Sequence, residues 1–567
     1  MLLFIAVALL AEIAHAVDGE APPADGKELE VAHGLLLQAK RILDAKYRAN
    51  PMGGSRYTDG VAAALAEVGD RDAAEATFSH LPLGDRFGNV RLRTLAVGYA
   101  RGGNLERARQ TINRIRDAEP GYANQRLLAW REAGRALAKL GRTREAAEAF
   151  AEAVRSIAGR DDRPWSEAAP LSEIAEAQHA IGRADESSAT FEMAVSLALA
   201  DPDESLLRIS LSNIAAAQAR AGYLPQALAT VDRIGDPEHR WWAWYGIVEA
   251  EANSGRLDEA YRIAERVEGK AVPKTWMALA DAQAKRGHRP EAGRALEKAE
   301  AAVRPIAEIG YRIQMVLLLA ESRASLGDRS AAEAWLRQAT EIAEGAVVVE
   351  GGPFALLRRI EQAPGAVHRE FNLCAIAMTQ AKLGFTDAAG GTFDRAKVAA
   401  EGQRAGLWRD SAFRSLAEVQ AKSGFPDDAI RTLAAIPTTE RGWLAYAPIA
   451  AAKARAGDLE GAERVAGLHA GDATSTRFYI AQALLEAGDP KNALRVGLRA
   501  ASLVEEVLHD AARRLSESGD VARVTDAVAQ AYEEDRVALL LGAAEGLFER
   551  SGRRAKGAAA AASAPSK

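Results

Sequence analysis

Only one cysteine, Cys374, occurs in 567 residues, so neither a disulfide framework nor a cysteine-based zinc or iron–sulfur site can form within one chain. Aromatic residues make up 6%, prolines number 20, and β-rich windows are missing, which argues against a sandwich or propeller. No stretch approaches the roughly 18 consecutive apolar residues of a membrane span. A basic excess is also missing. Lys+Arg 72 against Asp+Glu 78 gives a net charge of −6 and a pI near 6.0, not the footprint of a nucleic-acid binder. What is abundant is alanine, 125 residues, the best helix former. The composition points to an all-α chain, too long for one compact domain and comfortable as an extended array.

The chain opens with ten apolar residues followed by Ala14-His15-Ala16, a small-x-small pattern that could be cut before Val17. Residues 1–16 are expected to act as a signal peptide, although the segment lacks an early Lys or Arg and carries Glu12. The expected location is periplasmic or secreted if this signal works, and cytoplasmic otherwise.

The glycines at 69, 103, 141, 182, 222, 255, 287, 327, 384, 424, 457, 488, 519 and 552 set an internal repeat of about 37 residues. Eight before each stands mostly Val, Leu or Ile, as at Leu95, Ile174 and Leu416; seven before stands Ala or Gly, as at Gly134 and Ala175. Five after comes Ala (Ala108, Ala146, Ala227), and nine after a bulky apolar residue such as Phe78, Phe150, Phe191 or Phe393. Offsets −11, −8, −7 and −4 form the stripe of a first helix, and +5, +9 and +12 that of a second. The glycine supplies the cap and turn between them.

This pattern resembles the tetratricopeptide repeat family, whose W-x2-L-G-x2-Y, G, A-x3-F, P signature is largely reproduced by Trp130, Gly134, Gly141, Ala146 and Phe150, with Pro120 at the family's proline place. The resemblance implies a right-handed superhelical solenoid of helical hairpins, with a concave face that binds peptides or helices of partner proteins. The family's tyrosine is often glutamine here, at Gln178, Gln218, Gln283, Gln380 and Gln420. That predicts either a buried amide ladder between repeats or an altered helix pitch. The expected organisation is a capping helix within 17–50, thirteen to fourteen repeats over 51–553 with an insertion near 343–371, and a disordered tail at 554–567.

No P-loop, His-Glu-x-x-His, nucleophile-elbow or EF-hand pattern occurs, and the nine histidines are scattered singly. Neither a catalytic site nor a cofactor or metal is expected. If offsets −13, −10, −6, −3 and −2 face the groove, two partner-binding strips emerge. Arg93, Arg101, Arg131, Arg135 and Lys139 form a basic one, suited to an acidic peptide or a terminal carboxylate. Trp242, Tyr245, Met277, Leu317, Phe371, Cys374 and Met378 form an apolar one. The expected function is a non-catalytic scaffold or adaptor for a polypeptide, with a ligand-sensing solenoid that changes curvature as the alternative. Homo-oligomerisation through a terminal repeat is also open.

Overall fold

Alanine and the recurring glycine decide the local structure. The computed structural model describes residues 25–49, 57–79, 81, 86–116, 124–157, 167–235, 240–345, 369–403, 406–436, 438–468, 473–500 and 504–562. These form 28 α-helices and a 3-10 turn at Gly269–Ala271, and no strand occurs among them. The signal segment, Pro120 and most of the insertion (346–368) lie outside the described residues. No helix among those described is long and apolar enough to cross a membrane.

Thirteen of the fourteen aligned glycines have positive φ, from +74° at Gly141 to +101° at Gly519. A side chain there would cost roughly 1–2 kcal/mol. The residue after each such glycine donates its N–H to the carbonyl four before the glycine, as in Asp70 to Leu65 (3.0 Å), Arg183 to Gln178 (2.9 Å) and Asp520 to Leu515 (2.8 Å). This is a Schellman cap, which satisfies the orphan carbonyls of the first helix. At Asp70, Asn104, Asp458 and Asp489 the same residue also caps the second helix through its side chain: the carboxylate or amide oxygen accepts from the N–H three residues on. In those turns two residues make the whole connection.

Inside each hairpin, small meets large. A Cβ at Gly134 would lie 2.5 Å from the Phe150 ring, so the absence of a side chain there makes room for the aromatic at +9. Units of longer period carry longer second helices, such as Ala184–Ala198 and Arg329–Gly345, against Leu257–Ala264 and Pro426–Leu433 in shorter ones.

The glutamines resolve differently from a ladder between repeats. All five are buried, and Gln218 and Gln420 accept from Thr230 (2.8 Å) and Thr432 (2.7 Å) of their own second helices. In these two hairpins the amide ties the two helices together, whereas the buried Gln178, Gln283 and Gln380 carbonyl oxygens accept no hydrogen bond among the described residues. In a sixth repeat the same place holds Glu251, fully buried and paired with Arg256 at 2.5 Å.

The chain divides into two compact units, one of residues 1–162 with 453–567 and one of residues 163–452. In the first, the opening helix Asp25–Ala49 packs along the closing helix Glu533–Ala562, and Arg550 pairs with Glu28 at 3.3 Å. The opening helix also holds the first hairpin, through Tyr47 and Thr58 (2.7 Å) and His33 and Asp70 (2.7 Å). The terminal faces expected to be available for self-association therefore cover one another. Gly552, the fourteenth glycine, makes no turn: the closing helix runs through it to Ala562, past the start of the expected irregular tail, because the alanine run favours helix over coil.

Candidate binding surface

Burial within the first helices selects the outward face. Offsets −11, −8, −7 and −4 are inside, and the exposed places recur at −13, −9, −6 and −2, steps of four, three and four that trace one helix face. Offset −10, expected to face outward, turns toward the neighbouring hairpin instead. Met277 is 4% exposed there, and Cys374, Ser172 and Ser212 are also buried. Met277 and Cys374 are thus core residues, and burial, with Glu370 nearby, pushes the Cys374 thiol up to about 12. A neutral thiol at that depth is a poor nucleophile.

The basic strip lies in the first unit, where two of its members at offset −10 are tied down. Arg93 donates to Gln125 Oε1 at 3.0 Å and approaches Glu132 at 3.9 Å, and Arg131 lies 3.5 Å from the same carboxylate. Glu132, at offset −9, supplies the acid that the chosen offsets omitted. Arg101, Arg135 and Lys139 are exposed.

In the second unit the outward face carries parallel rows. Along −13 run Ile209 (54% exposed), Trp242 (46%), Lys274, Gln314 and Phe371 (46%). Along −9 the places at Gly246, Ala278 and Ala375 are small, with Leu318 between them exposed. Along −6 stand Glu176, Glu249, Asp281, Glu321 and Glu418, interrupted by Ala216 and the exposed Met378. Along −2 come Arg220, Lys285, Lys382 and Lys422. Ion pairs stitch −6 of one repeat to −2 of the next, Glu176 to Arg220 and Glu321 to Lys382, both at 2.7 Å. The rows therefore run continuously from helix to helix.

Glu249 and Asp281 are the exception, because neither has a cation within ion-pair distance among the described residues. Burial pushes the Asp281 carboxyl above the usual carboxylate range. Tyr245 sits between them, donating to Glu249 at 3.3 Å. Its phenol is pushed up to about 12, first by burial and then by the negative charge of Glu249 and Asp281. Trp242 lies 6.0 Å from the Tyr245 ring and 5.1 Å from Trp241. Of the expected apolar strip, the fold thus brings Trp242 and Tyr245 together and leaves Phe371 and Met378 outward on one helix. The acid row was missed, although Glu249, Asp281, Glu321 and Glu418 share one offset from their glycines in the sequence.

Two clefts, of about 420 Å³ beside Arg495 and Arg523 and about 410 Å³ beside Glu251 and Arg256, lie among second helices and turns, away from this face. No group of three His, Cys, Asp or Glu among the described residues could hold a metal ion.

No family model matches the chain, and no curated protein matches it. Among solved structures it is similar to the pentatricopeptide repeat protein PPR10 from maize, at 15% identity and a TM-score of 0.26 over 91% of this chain and 80% of that one. A circular tandem repeat protein with novel repeat topology gives 15% and 0.17 over 94% and 100%. Ton1535 from Thermococcus onnurineus NA1 gives 17% and 0.20 over 63% and 99%. Superpositions this loose carry no argument. The chain is a helical-repeat protein on the strength of its own thirteen capped turns.

Proposed function

We propose that the protein is a non-catalytic binding scaffold of tetratricopeptide-like hairpins, which holds a polypeptide segment on the outward face of the first helices in residues 163–452. The observation that carries this reading is the exposure of Ile209, Trp242 and Phe371 along one row, interrupted by Lys274 and Gln314 and flanked by Leu318 and Met378, beside places occupied by glycine and alanine. Large apolar side chains repeated on a solvent face, next to small residues that let a backbone approach, are the features of a docking surface. A face already fixed by hairpin packing also reduces the entropy lost on binding. The acid row disfavours phosphate backbones, which supports a protein partner over a nucleic acid. The leader-like opening supports an exported protein, and N-terminal sequencing of the expressed chain for a start at Val17 tests it.

Panning a random peptide library on phage against the whole chain tests the scaffold reading. We expect enriched sequences that Trp242→Ala with Phe371→Ala no longer retains, with the helical circular dichroism unchanged. Equal retention by the double variant would place binding elsewhere, and no enrichment would overturn the reading.

A further inference from the structure

Resting on that reading, we infer that the segment held on this face is a basic amphipathic one, whose apolar side lies along Ile209, Trp242, Leu318 and Phe371 and whose Lys or Arg side chains reach Glu249 and Asp281. Three observations converge. In the acid row Glu176, Glu321 and Glu418 pair with the −2 cations Arg220, Lys382 and Lys422, whereas Glu249 and Asp281 make no ion pair among the described residues, although Lys285 stands one turn from Asp281 and acts on its charge. The −2 place beside Glu249 is the neutral Asn253. Glu249 accepts from the Tyr245 hydroxyl at 3.3 Å, and burial first, then the charge of Glu249 and Asp281, raises the phenol pKa.

Beside this negative spot the exposed Trp242 ring offers a surface on which a guanidinium or ammonium is attracted to the aromatic quadrupole. An acidic segment would meet the Glu249 and Asp281 carboxylates, which make no ion pair among the described residues, with Lys274 and Lys285 as the nearby cations. A purely polar cation would leave the apolar row in water. Only a segment with both characters satisfies both rows.

The probes are fluorescein-labelled peptides of two heptads, one of Leu and Lys with its leucines on a single helical face, one with Glu in place of every Lys, and one with Ser in place of every Leu. Binding to the full chain is read by anisotropy. The Leu/Lys peptide should bind roughly tenfold or more tightly than either control, and weaken with added salt. Glu249→Gln with Asp281→Asn should cost roughly tenfold, as should Trp242→Ala. Glu333→Gln with Glu341→Gln, an equal charge change on exposed second-helix sites, should leave binding within about twofold.

Equal loss in the second-helix pair would reduce the effect to net charge and overturn the inference. Leu/Glu binding that Trp242→Ala removes would overturn the basic chemistry while leaving a polypeptide site. Displacement by single-stranded RNA, or no binding by any peptide, would overturn both.

Discussion

The two compact units repeat one hairpin but finish its outer face in opposite ways. Residues 163–452 place Glu249, Asp281, Glu321 and Glu418 at offset −6, whereas the other unit has Val97, Arg135, Gln482 and Arg513 there. At −13 the first group shows Ile209, Trp242 and Phe371 to solvent; the second has the half-buried Val90 and Leu128. Two helices of the unit holding both chain ends lie directly against a neighbour's backbone. A Cβ on Gly98 would lie 2.3 Å from the Ala63 carbonyl oxygen, and one on Gly542 2.2 Å from that of His509. In the other unit, a Cβ on Gly246 would lie 2.8 Å from the Ala216 side chain and 3.8 Å from its backbone Cα. One surface is given to backbone-close packing and paired arginines, the other to exposed apolar and acidic rows. The repeat fixes the framework, and the outward offsets are left to differ.

The comparison breaks if the second unit is loosely built throughout rather than open only on its outer face. Glu251 tests this. Its carboxylate is fully buried, and Arg256, besides pairing with it, donates to the Ala219 carbonyl of the preceding hairpin at 3.1 Å. Glu251→Ala should cost about 1.5–3 kcal/mol in denaturant unfolding, the loss of hydrogen bonds between a fully buried carboxylate and the partly exposed Arg256. Glu251→Gln should cost less than half as much, because glutamine fills the same place in five other hairpins. Equal costs would mean that the charge, not the shape, holds the position.

The close approach in the other unit gives a second, smaller test. Gly542→Ala forces a methyl into backbone and should destabilise by about 1–3 kcal/mol. Gly293→Ala, in a helix of residues 163–452 with open space around it, should stabilise by about 0.5–1 kcal/mol. Paired thermal melts measure both. If Gly542→Ala is neutral, the closing helix has room to shift and the contrast in packing disappears.

The hairpin was legible because its determinants are local. A left-handed turn needs glycine, a Phe at +9 needs a small partner at −7, and both recur at fixed spacing. Three features were not legible. Whether −10 or −9 faces solvent depends on how neighbouring first helices abut, so Met277 and Cys374 were placed outside and Glu132 was left out. The packing of Asp25–Ala49 on Glu533–Ala562 joins segments about 500 residues apart, and no periodicity reports it. Alanine masked the end of the repeat, since Gly552 keeps the spacing yet lies in continuous helix. The acid row, by contrast, was present in the alignment, and its exposure follows only once −6 is known to face outward.

Asp281 carries the smallest and most discriminating effect. Burial raises its folded-state pKa, so the stabilisation from protonating it is fully present below the unfolded value near 4 and is lost as pH rises through the folded one. At neutral pH the ionised group therefore opposes folding. Asp281→Asn should stabilise the protein by under about 1 kcal/mol at pH 7, because the group is only partly buried and screened by solvent, and the advantage should vanish near pH 4. An acid kept on an open face at the expense of stability fits a residue retained for binding. If Asp281→Asn instead destabilises at pH 7, its bond to Ser322 of the next hairpin is what matters, and Asp281 belongs with the packing both units share.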